Sequence, residues 1–251
     1  MSDSKPTPRC VHFSFLPMGQ RTLFTATIIV LSTGYLFAMI YIFESHAGRD
    51  GNPMLSVNDL IIAYSGSKSD TVLESALKGP MANMLPSKQK HEIIAWVRRG
   101  ATKEEFDPVA RIIEQRCSVC HDGSNPHIPN LMGYKNVSKV TQMDTGMDIF
   151  TLVRVSHIHL FGLTFIFFII GSIFCHAYMR HKWLKCLIIA LPFLSILFDI
   201  ASWYLTKLFT PFAYVVLISG GVMGLCFAAQ ALISLYQMWF FKPSEELVYD
   251  V

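Results

Sequence analysis

Four long stretches of this chain are almost free of charged residues, and they constrain its fold more than any other feature. No Asp, Glu, Lys or Arg occurs in residues 22–43, 158–178 or 211–241, and residues 187–204 contain only Asp199. A helix needs about 18–20 apolar residues to cross a bilayer. Because none of these stretches alternates apolar and polar residues as a barrel strand does, they predict four transmembrane helices.

The remaining residues form one polar block and two short tails. Although 52% of the residues are hydrophobic, the charged residues are concentrated outside the four stretches, which excludes an ordinary soluble domain. The first stretch is longer than the apolar core of a signal peptide, about 7–15 residues, so we expect a retained anchor. The predicted fold is all-α, with a tail at 1–21, a transmembrane helix at 22–44, a mostly helical domain at 45–150, three transmembrane helices within 151–241 and a tail at 242–251.

Lysine and arginine residues near the ends of the predicted helices indicate the orientation in the membrane. Seven lie on one side, at Lys5, Arg9, Arg21, Arg180, Lys182, Lys185 and Lys242, whereas the opposite short loop has only Lys207. Positive residues favour the cytoplasmic side of a membrane. We therefore expect a multi-pass protein of a bacterial inner membrane, with both termini cytoplasmic and the polar block periplasmic. Acidic and basic residues nearly balance in that block, so the sequence indicates no nucleic-acid partner.

Two of the six cysteines lie in the polar block and share one motif. Residues 117–121 are Cys-Ser-Val-Cys-His, the C-x-x-C-H signature of covalent haem attachment. The alternatives are a disulfide, a thioredoxin-like pair or half of a zinc site. Zinc needs a second ligand pair that the spacing does not provide, and a redox pair does not need the histidine. The motif predicts one haem c, bound covalently to Cys117 and Cys120, with His121 as the proximal iron ligand.

The residues around this motif have helical patterns. Apolar side chains recur at helical spacing in residues 87–99 and 106–115, and residues 69–77 form a shorter candidate helix. Residues 122–134 are rich in Gly, Pro and Asn and predict a loop beside the haem. The polar block is therefore expected to be a helical, loop-rich domain that its cofactor stabilises.

The block resembles class I c-type cytochromes, with its parts in a different order. Residues 106–121 resemble the opening helix and haem motif of that family. Residues 85–101, LPSKQKHEIIAWVRRGA, resemble its closing helix. The closing helix precedes the haem motif here, which the resemblance explains as a circular permutation covering roughly residues 56–135. The first and last helices of the family pack against each other, so a short connection through residues 100–105 would join them with little strain.

The resemblance also implies a distal methionine ligand in the loop before the closing helix. Met81 occupies that place and is the first candidate, and Met84 is the second. The other candidates lie beyond the haem motif, at His127, Met132, Met143 and Met147. Methionine ligation raises the potential of a haem relative to two histidines, which suits an acceptor of electrons from a quinol chain.

The membrane portion has three polar residues of its own that could serve a quinol. His157 and His159 open the second predicted helix, and Asp199 lies in the third. An acidic residue within a membrane helix is a functional candidate by default, and together these residues could accept protons from a quinol. Alternatively, the histidines bind headgroups or the polar block, and Asp199 joins helices through Ser202 or Thr206. A b-type haem is not expected, because no facing helix supplies further histidines.

The chain has one predicted electron carrier and no complete catalytic centre. Small residues in the fourth helix, at Ser219, Gly220, Gly221 and Gly224, would allow close helix packing. The sequence therefore favours an electron-transfer subunit of a larger respiratory or oxidoreductase complex, with other subunits and a soluble cytochrome or redox protein as partners. The alternatives are a stand-alone quinol-oxidising cytochrome and a structural anchor for a partner enzyme.

Overall fold

A computed structural model describes residues 11–126 and 128–241 of the chain. These residues form an all-α fold, as expected, and the part described contains no extended strand. Nine α-helices follow in order: α1 Met18–His46, α2 Val57–Ser65, α3 Val72–Lys78, α4 Ser87–Arg98, α5 Phe106–Arg116, α6 Tyr134–Val137, α7 Ile149–Phe174, α8 Lys182–Leu208 and α9 Phe212–Trp239. Short 3₁₀ helices occupy Phe13–Phe15 and Ser138–Thr141.

Four of these helices are long and apolar enough to cross a membrane, which confirms the predicted number of spans. They are α1, α7, α8 and α9, with 29, 26, 27 and 28 residues. The chain divides into two compact units. Among the described residues, unit 1 contains 11–39, 150–203 and 214–241, and unit 2 contains 40–149 with 204–213. Unit 2 thus includes the polar block and the end of α8.

A proline within α8 determines one of the polar contacts in unit 1. Pro192 has no backbone N–H, so the carbonyl of Ile188 loses its usual helical partner. The Nε2 of Gln230 on α9 donates a hydrogen bond to this carbonyl at 2.8 Å. Because no water is available in hydrocarbon, this contact satisfies a backbone group that the proline would leave without a donor.

In unit 1, side chains from distant positions in the sequence form hydrogen bonds to backbone groups at the C-terminal end of α7. Lys185 Nζ donates to the carbonyls of Cys175 and Ala177 at 2.7 and 2.8 Å. Gln237 accepts from the backbone N–H of Tyr178 and donates to its carbonyl, at 2.7 and 2.8 Å. Carbonyls at a helix end have no partner within the helix, and these side chains supply one.

The core of unit 2 forms where α4 and α5 pack together. The Trp96 and Phe106 rings lie 5.4 Å apart between centroids, and Trp96 Nε1 donates to the Thr102 carbonyl at 2.9 Å. The connection between the helices turns at Gly100, whose φ of +102° favours glycine. The buried cluster consists of Leu73, Leu77, Leu85, Ile93, Trp96, Val97, Ala101, Phe106, Val109, Ile112, Ile113, Leu131 and Val137.

Two buried carboxylates in unit 2 form capping hydrogen bonds at the N-termini of α2 and α3. Asp59, fully buried, accepts from the backbone N–H groups of Asp50 and Ser56, both at 2.9 Å. Glu74 accepts from the Thr71 backbone N–H and from Arg98 Nε, also both at 2.9 Å. Both are capping boxes, which satisfy N–H groups that the helix itself cannot.

Lys207, near the end of α8, binds three backbone carbonyls in unit 2. Its Nζ donates to Tyr64 at 2.8 Å, Thr145 at 2.9 Å and Met147 at 2.8 Å. The three N–H groups of the ammonium thus each have an acceptor. The charge pattern predicts Lys207 to lie in a loop, whereas the structure places it in α8 with a hydrogen-bonding role.

The segments that Lys207 joins approach each other closely at a pair of glycines. Gly66 and Gly146 have φ of +83° and +71°. A Cβ at Gly66 would collide with the Asp144 carbonyl, and one at Gly146 would collide with the Tyr64 carbonyl. Both positions therefore need glycine for the space as well as for the backbone conformation.

Candidate haem site and membrane cluster

The Cys-x-x-Cys-His motif continues directly from the end of α5. The backbone N–H of Cys117 donates to the Ile113 carbonyl at 2.8 Å, and that of His121 donates to the Cys117 carbonyl at 2.8 Å. The chain thus makes one further turn, which carries both thiols and the imidazole. Cys117 is half-buried and Cys120 is exposed, and both thiols are free.

The two thiols differ in their surroundings. Cys117 packs against the hydrophobic core of unit 2, and burial raises the pKa of its thiol. Cys120 faces solvent. The Cys117 thiol is therefore fixed at the core, whereas the Cys120 thiol is accessible to a planar group from solvent.

The ring of His121 is held in an orientation that suits metal ligation. Its Nδ1 lies 2.7 Å from the Pro129 carbonyl. Because a carbonyl only accepts, Nδ1 carries the proton and Nε2 keeps its lone pair. Histidines that ligate metals are usually fixed by such a bond. The backbone N–H of the buried Leu131 donates to the His121 carbonyl at 2.9 Å, so the predicted loop folds back onto the motif.

These residues fit a covalently bound haem c. Two free thiols lie in one turn, and the next residue presents an imidazole nitrogen with its other nitrogen already bonded. The chemistry of the donor set is that of thioether attachment with a histidine ligand.

The loop that carries the first distal candidates is anchored at both ends. Leu77 and Leu85 belong to the same core that Cys117 contacts, and they flank Met81 and Met84. Met81 is half-buried, whereas Met84 is 68% exposed.

The later candidates are spread through the connection to α7. Met132 and Met143 are exposed, and Met147 is half-buried. His127 lies outside the described residues.

The two predicted membrane histidines lie on different faces of α7. His157 is exposed, with its ring 5.1 Å from that of Phe161. His159 is half-buried, and its ring meets Trp203 of α8 edge-on at 5.2 Å. Residues two apart do not share a helix face. The structure therefore brings His159, but not His157, to α8.

Asp199 lies in a polar and aromatic cluster inside unit 1. It is 7% exposed, and its carboxylate interacts with the Trp203 indole one turn along α8. It also lies within electrostatic range of the Tyr35 phenol of α1, which stacks on Phe227 of α9 at 4.7 Å. Tyr35 was not among the residues predicted from the sequence, although a tyrosine within a span is a signal for a polar contact. Ser202 and Thr206, the alternative partners, are also buried.

Comparison with known proteins identifies the membrane portion in general terms. A family model described as a transmembrane helical domain matches residues 131–246, which include α7, α8 and α9. No curated protein matches the chain, and no solved structure does. The match and the four apolar helices agree that the chain is a multi-helix membrane protein.

Proposed function

We propose that the chain is a membrane-anchored monohaem cytochrome c that transfers electrons as a subunit of a larger respiratory or oxidoreductase complex. Cys117 and Cys120 hold the haem through thioethers, and His121 Nε2 is the proximal ligand. The observation that carries the proposal is the 2.7 Å contact between His121 Nδ1 and the Pro129 carbonyl. The bound haem supplies one-electron transfer.

The chain's own residues define how the haem is held. The Pro129 carbonyl fixes the tautomer and orientation of His121. Cys117 ties one edge of the haem to the hydrophobic core, and Met81 completes the iron coordination in this proposal. The packing of α4 against α5 through Trp96 and Phe106 supports a permuted class I cytochrome domain.

The proposed location is the bacterial inner membrane, with the haem domain in the periplasm and both termini in the cytoplasm. Four membrane-spanning helices support an integral protein. The distribution of lysine and arginine supports this orientation. Attachment of haem c takes place on the same side in bacteria.

Haem attachment is tested on the full-length chain in membranes. A denaturing gel stained for haem peroxidase activity is expected to show the full-length band, and a pyridine haemochrome assay is expected to give one haem c per chain. Cys117→Ala or Cys120→Ala should lower the stain strongly. Cys226→Ala in α9 is the control and should leave it unchanged. A b-type spectrum, or haem extracted by acid acetone, would contradict the proposal.

The distal ligand is tested by the same spectra. Met81→Ala is expected to abolish the weak long-wavelength band of methionine-ligated ferric haem. Met84→Ala is expected to leave it, because Met84 is more exposed. If neither change alters the band, the permuted arrangement is contradicted, and the methionines beyond the haem motif and His157 become the candidates.

The assembly is tested by mild detergent extraction and size-exclusion chromatography. A subunit of a complex is expected to elute with partner proteins in fixed ratio. A monomer whose haem is reduced by quinol without other proteins would instead support the stand-alone quinol-oxidising cytochrome. A stable complex whose enzymatic activity survives loss of the haem would support a structural anchor for a partner enzyme.

A further inference from the structure

Three helices of unit 1 bring polar or aromatic side chains to Asp199. Trp203 lies one turn away on α8, Tyr35 of α1 lies within electrostatic range of the carboxylate, and His159 of α7 meets the Trp203 ring at 5.2 Å. On α9, Cys226 lies within electrostatic range of Tyr35. Asp199 and Trp203 are 7% and 5% exposed, while Tyr35 and His159 are half-buried. The cluster is thus buried at its centre and accessible at two edges.

Trp203 and Tyr35 do not neutralise the charge of Asp199. The indole and the phenol carry no positive charge, and both can donate a hydrogen bond. An ionised carboxylate in hydrocarbon costs several kcal/mol unless a cation or several donors compensate. Protonation removes this cost, so Asp199 is suited to accept a proton.

His159 has one nitrogen available for the same chemistry. Its Nδ1 is 2.9 Å from the Val155 carbonyl, one turn back in α7. Nδ1 therefore carries the proton, and Nε2 keeps a lone pair that can accept one. His157 is not positioned to accept a proton in this cluster, because its ring lies on a different face of α7, next to Phe161.

Next to the cluster, the surface of α9 is open at Gly220. A Cβ at Gly224 would lie 3.4 Å from the Tyr35 hydroxyl, whereas a Cβ at Gly220 would have no atom within 4 Å. Residues four apart share a helix face, so this space lies about 6 Å along α9 from Gly224. The nearby Tyr35 stacks on Phe227 of α9, and aromatic side chains are usual in sites for planar apolar ligands.

We infer that Tyr35, His159, Asp199 and Trp203 form the binding site of a quinol headgroup, with Asp199 and His159 as its proton acceptors. The inference rests on the proposed function, because it needs a one-electron acceptor. Oxidation of the quinol to quinone breaks two O–H bonds. The protons pass to the Asp199 carboxylate and to His159 Nε2, and the two electrons pass one at a time to the single ferric haem c, which the redox partner reoxidises between the two transfers.

Binding is tested without the redox reaction. Decylubiquinone titrated into the detergent-solubilised full-length chain is expected to quench tryptophan fluorescence saturably. Trp203→Phe should remove most of the saturable part, because the other tryptophans are outside the cluster. Quenching that does not saturate, or that is unchanged in Trp203→Phe, would overturn the inference.

The space beside Gly220 allows a matched pair of variants. Gly220→Leu is expected to fill the space and to weaken decylubiquinone binding by about tenfold, the effect of losing roughly one good contact. Gly221→Leu adds the same side chain on an exposed, neighbouring face and should bind normally. Equal binding by the two variants would place the quinone elsewhere.

Proton acceptance is tested by the rate at which decylubiquinol reduces the haem. Asp199→Asn keeps the shape of the side chain but cannot take a proton, so the rate should fall by about a hundredfold. Binding of decylubiquinone should change less than about threefold, because the amide retains the hydrogen bonds. His159→Gln should also slow the reaction. A normal rate in Asp199→Asn would overturn the role of Asp199.

His157→Gln is the control on the same helix, and it should react like the unchanged chain. A slow His157→Gln with a normal His159→Gln would contradict the inference.

These experiments distinguish a failure of the cytochrome proposal from a failure of the quinol-site inference. A chain with haem c but no saturable binding leaves the cytochrome and removes the quinol site. Saturable binding that Gly220→Leu weakens, in a chain without haem c, removes the cytochrome and leaves the quinone site.

Discussion

Buried polar groups are treated differently in the two units of this molecule. In unit 2, the carboxylates of Asp59 and Glu74 each accept hydrogen bonds from backbone N–H groups or an arginine. In unit 1, the amides of Gln230 and Gln237 bond to backbone groups, whereas the interactions of the Asp199 carboxylate are with the neutral side chains of Trp203 and Tyr35. The carboxylates of Asp59 and Glu74, which have hydrogen-bond donors in the fold, are structural. Asp199 has the proton-accepting role that we infer above.

The reason lies in the solvent around each unit. Helix starts in unit 2 offer N–H groups that have no partner in the helix, and a carboxylate there stabilises the fold. In the middle of a membrane span every N–H is already bonded within the helix. A carboxylate at that position therefore finds donors only on other side chains, and selection for stability alone would not favour it.

The largest expected effect is in unit 2, at Asp59. Asp59→Ala should lower the free energy of unfolding by about 3 kcal/mol, because it removes a fully buried acceptor and leaves the backbone N–H groups of Ser56 and Asp50 without a partner. Urea unfolding of the full-length chain in detergent, followed by circular dichroism, measures the change. Asp50→Ala, at an exposed position, is the control and should cost less than about 1 kcal/mol. Equal effects would show that burial does not distinguish the two carboxylates.

Lys207 tests whether a side chain of α8 stabilises unit 2. Lys207→Met keeps most of the apolar stem but removes the donors to the carbonyls of Tyr64, Thr145 and Met147. The expected loss is about 2 kcal/mol, because hydrogen bonds from a charged group contribute more than neutral ones. Faster amide hydrogen exchange around Gly66 would locate the effect. Unchanged exchange there would contradict the role of Lys207.

A smaller effect is expected within the membrane, at Gln230. Gln230→Leu should cost about 1 kcal/mol, the usual size of a side-chain hydrogen bond in a membrane protein. In a Pro192→Ala background, the restored N–H can bond to Ile188 within the helix, so the same Gln230→Leu change should cost less. Thermal unfolding in detergent of the four chains of this double-mutant cycle measures the coupling. A cost that is the same in both backgrounds would show that Gln230 does not compensate for the proline.

The smallest expected effect is a pH dependence at His12. This side chain is fully buried beside Gln237, and burial lowers the pKa of its imidazole. The unfolded chain therefore binds the proton more readily than the folded one. Stability should be constant above about pH 6.5 and should fall as the pH decreases below it. Melting temperatures from pH 7.5 to about pH 5 measure this change, and His12→Gln should reduce the slope of the curve. A curve of equal slope in His12→Gln would assign the effect to other groups.

The helices were the part of the fold that could be predicted best. The predicted helices at 87–99 and 106–115 correspond to α4 Ser87–Arg98 and α5 Phe106–Arg116. Their apolar stripes and end signals are local, so they can be recognised in a short segment. The same holds for the four apolar spans, which depend only on the absence of charge over about 20 residues.

The contacts of individual polar residues could be predicted much less well. His157 and His159 were treated as a pair, but their spacing of two residues places them on different helix faces, and this signal was already in the sequence. Lys207 gave no such signal, because its acceptors are 60 to 143 residues away in the chain. Tyr35 is similar, since its position beside Asp199 depends on how α1 packs.

By itself, the sequence determined the number of membrane spans, the helical pattern and the motif that contains Cys117, Cys120 and His121, because each depends on neighbours within a few residues. Only the tertiary structure decided that the Pro129 carbonyl orients His121, that Lys207 binds three carbonyls and that Asp199 lies within electrostatic range of Tyr35. A hydrogen bond requires two groups within about 3 Å, and such distances between remote segments follow from packing rather than from local pattern.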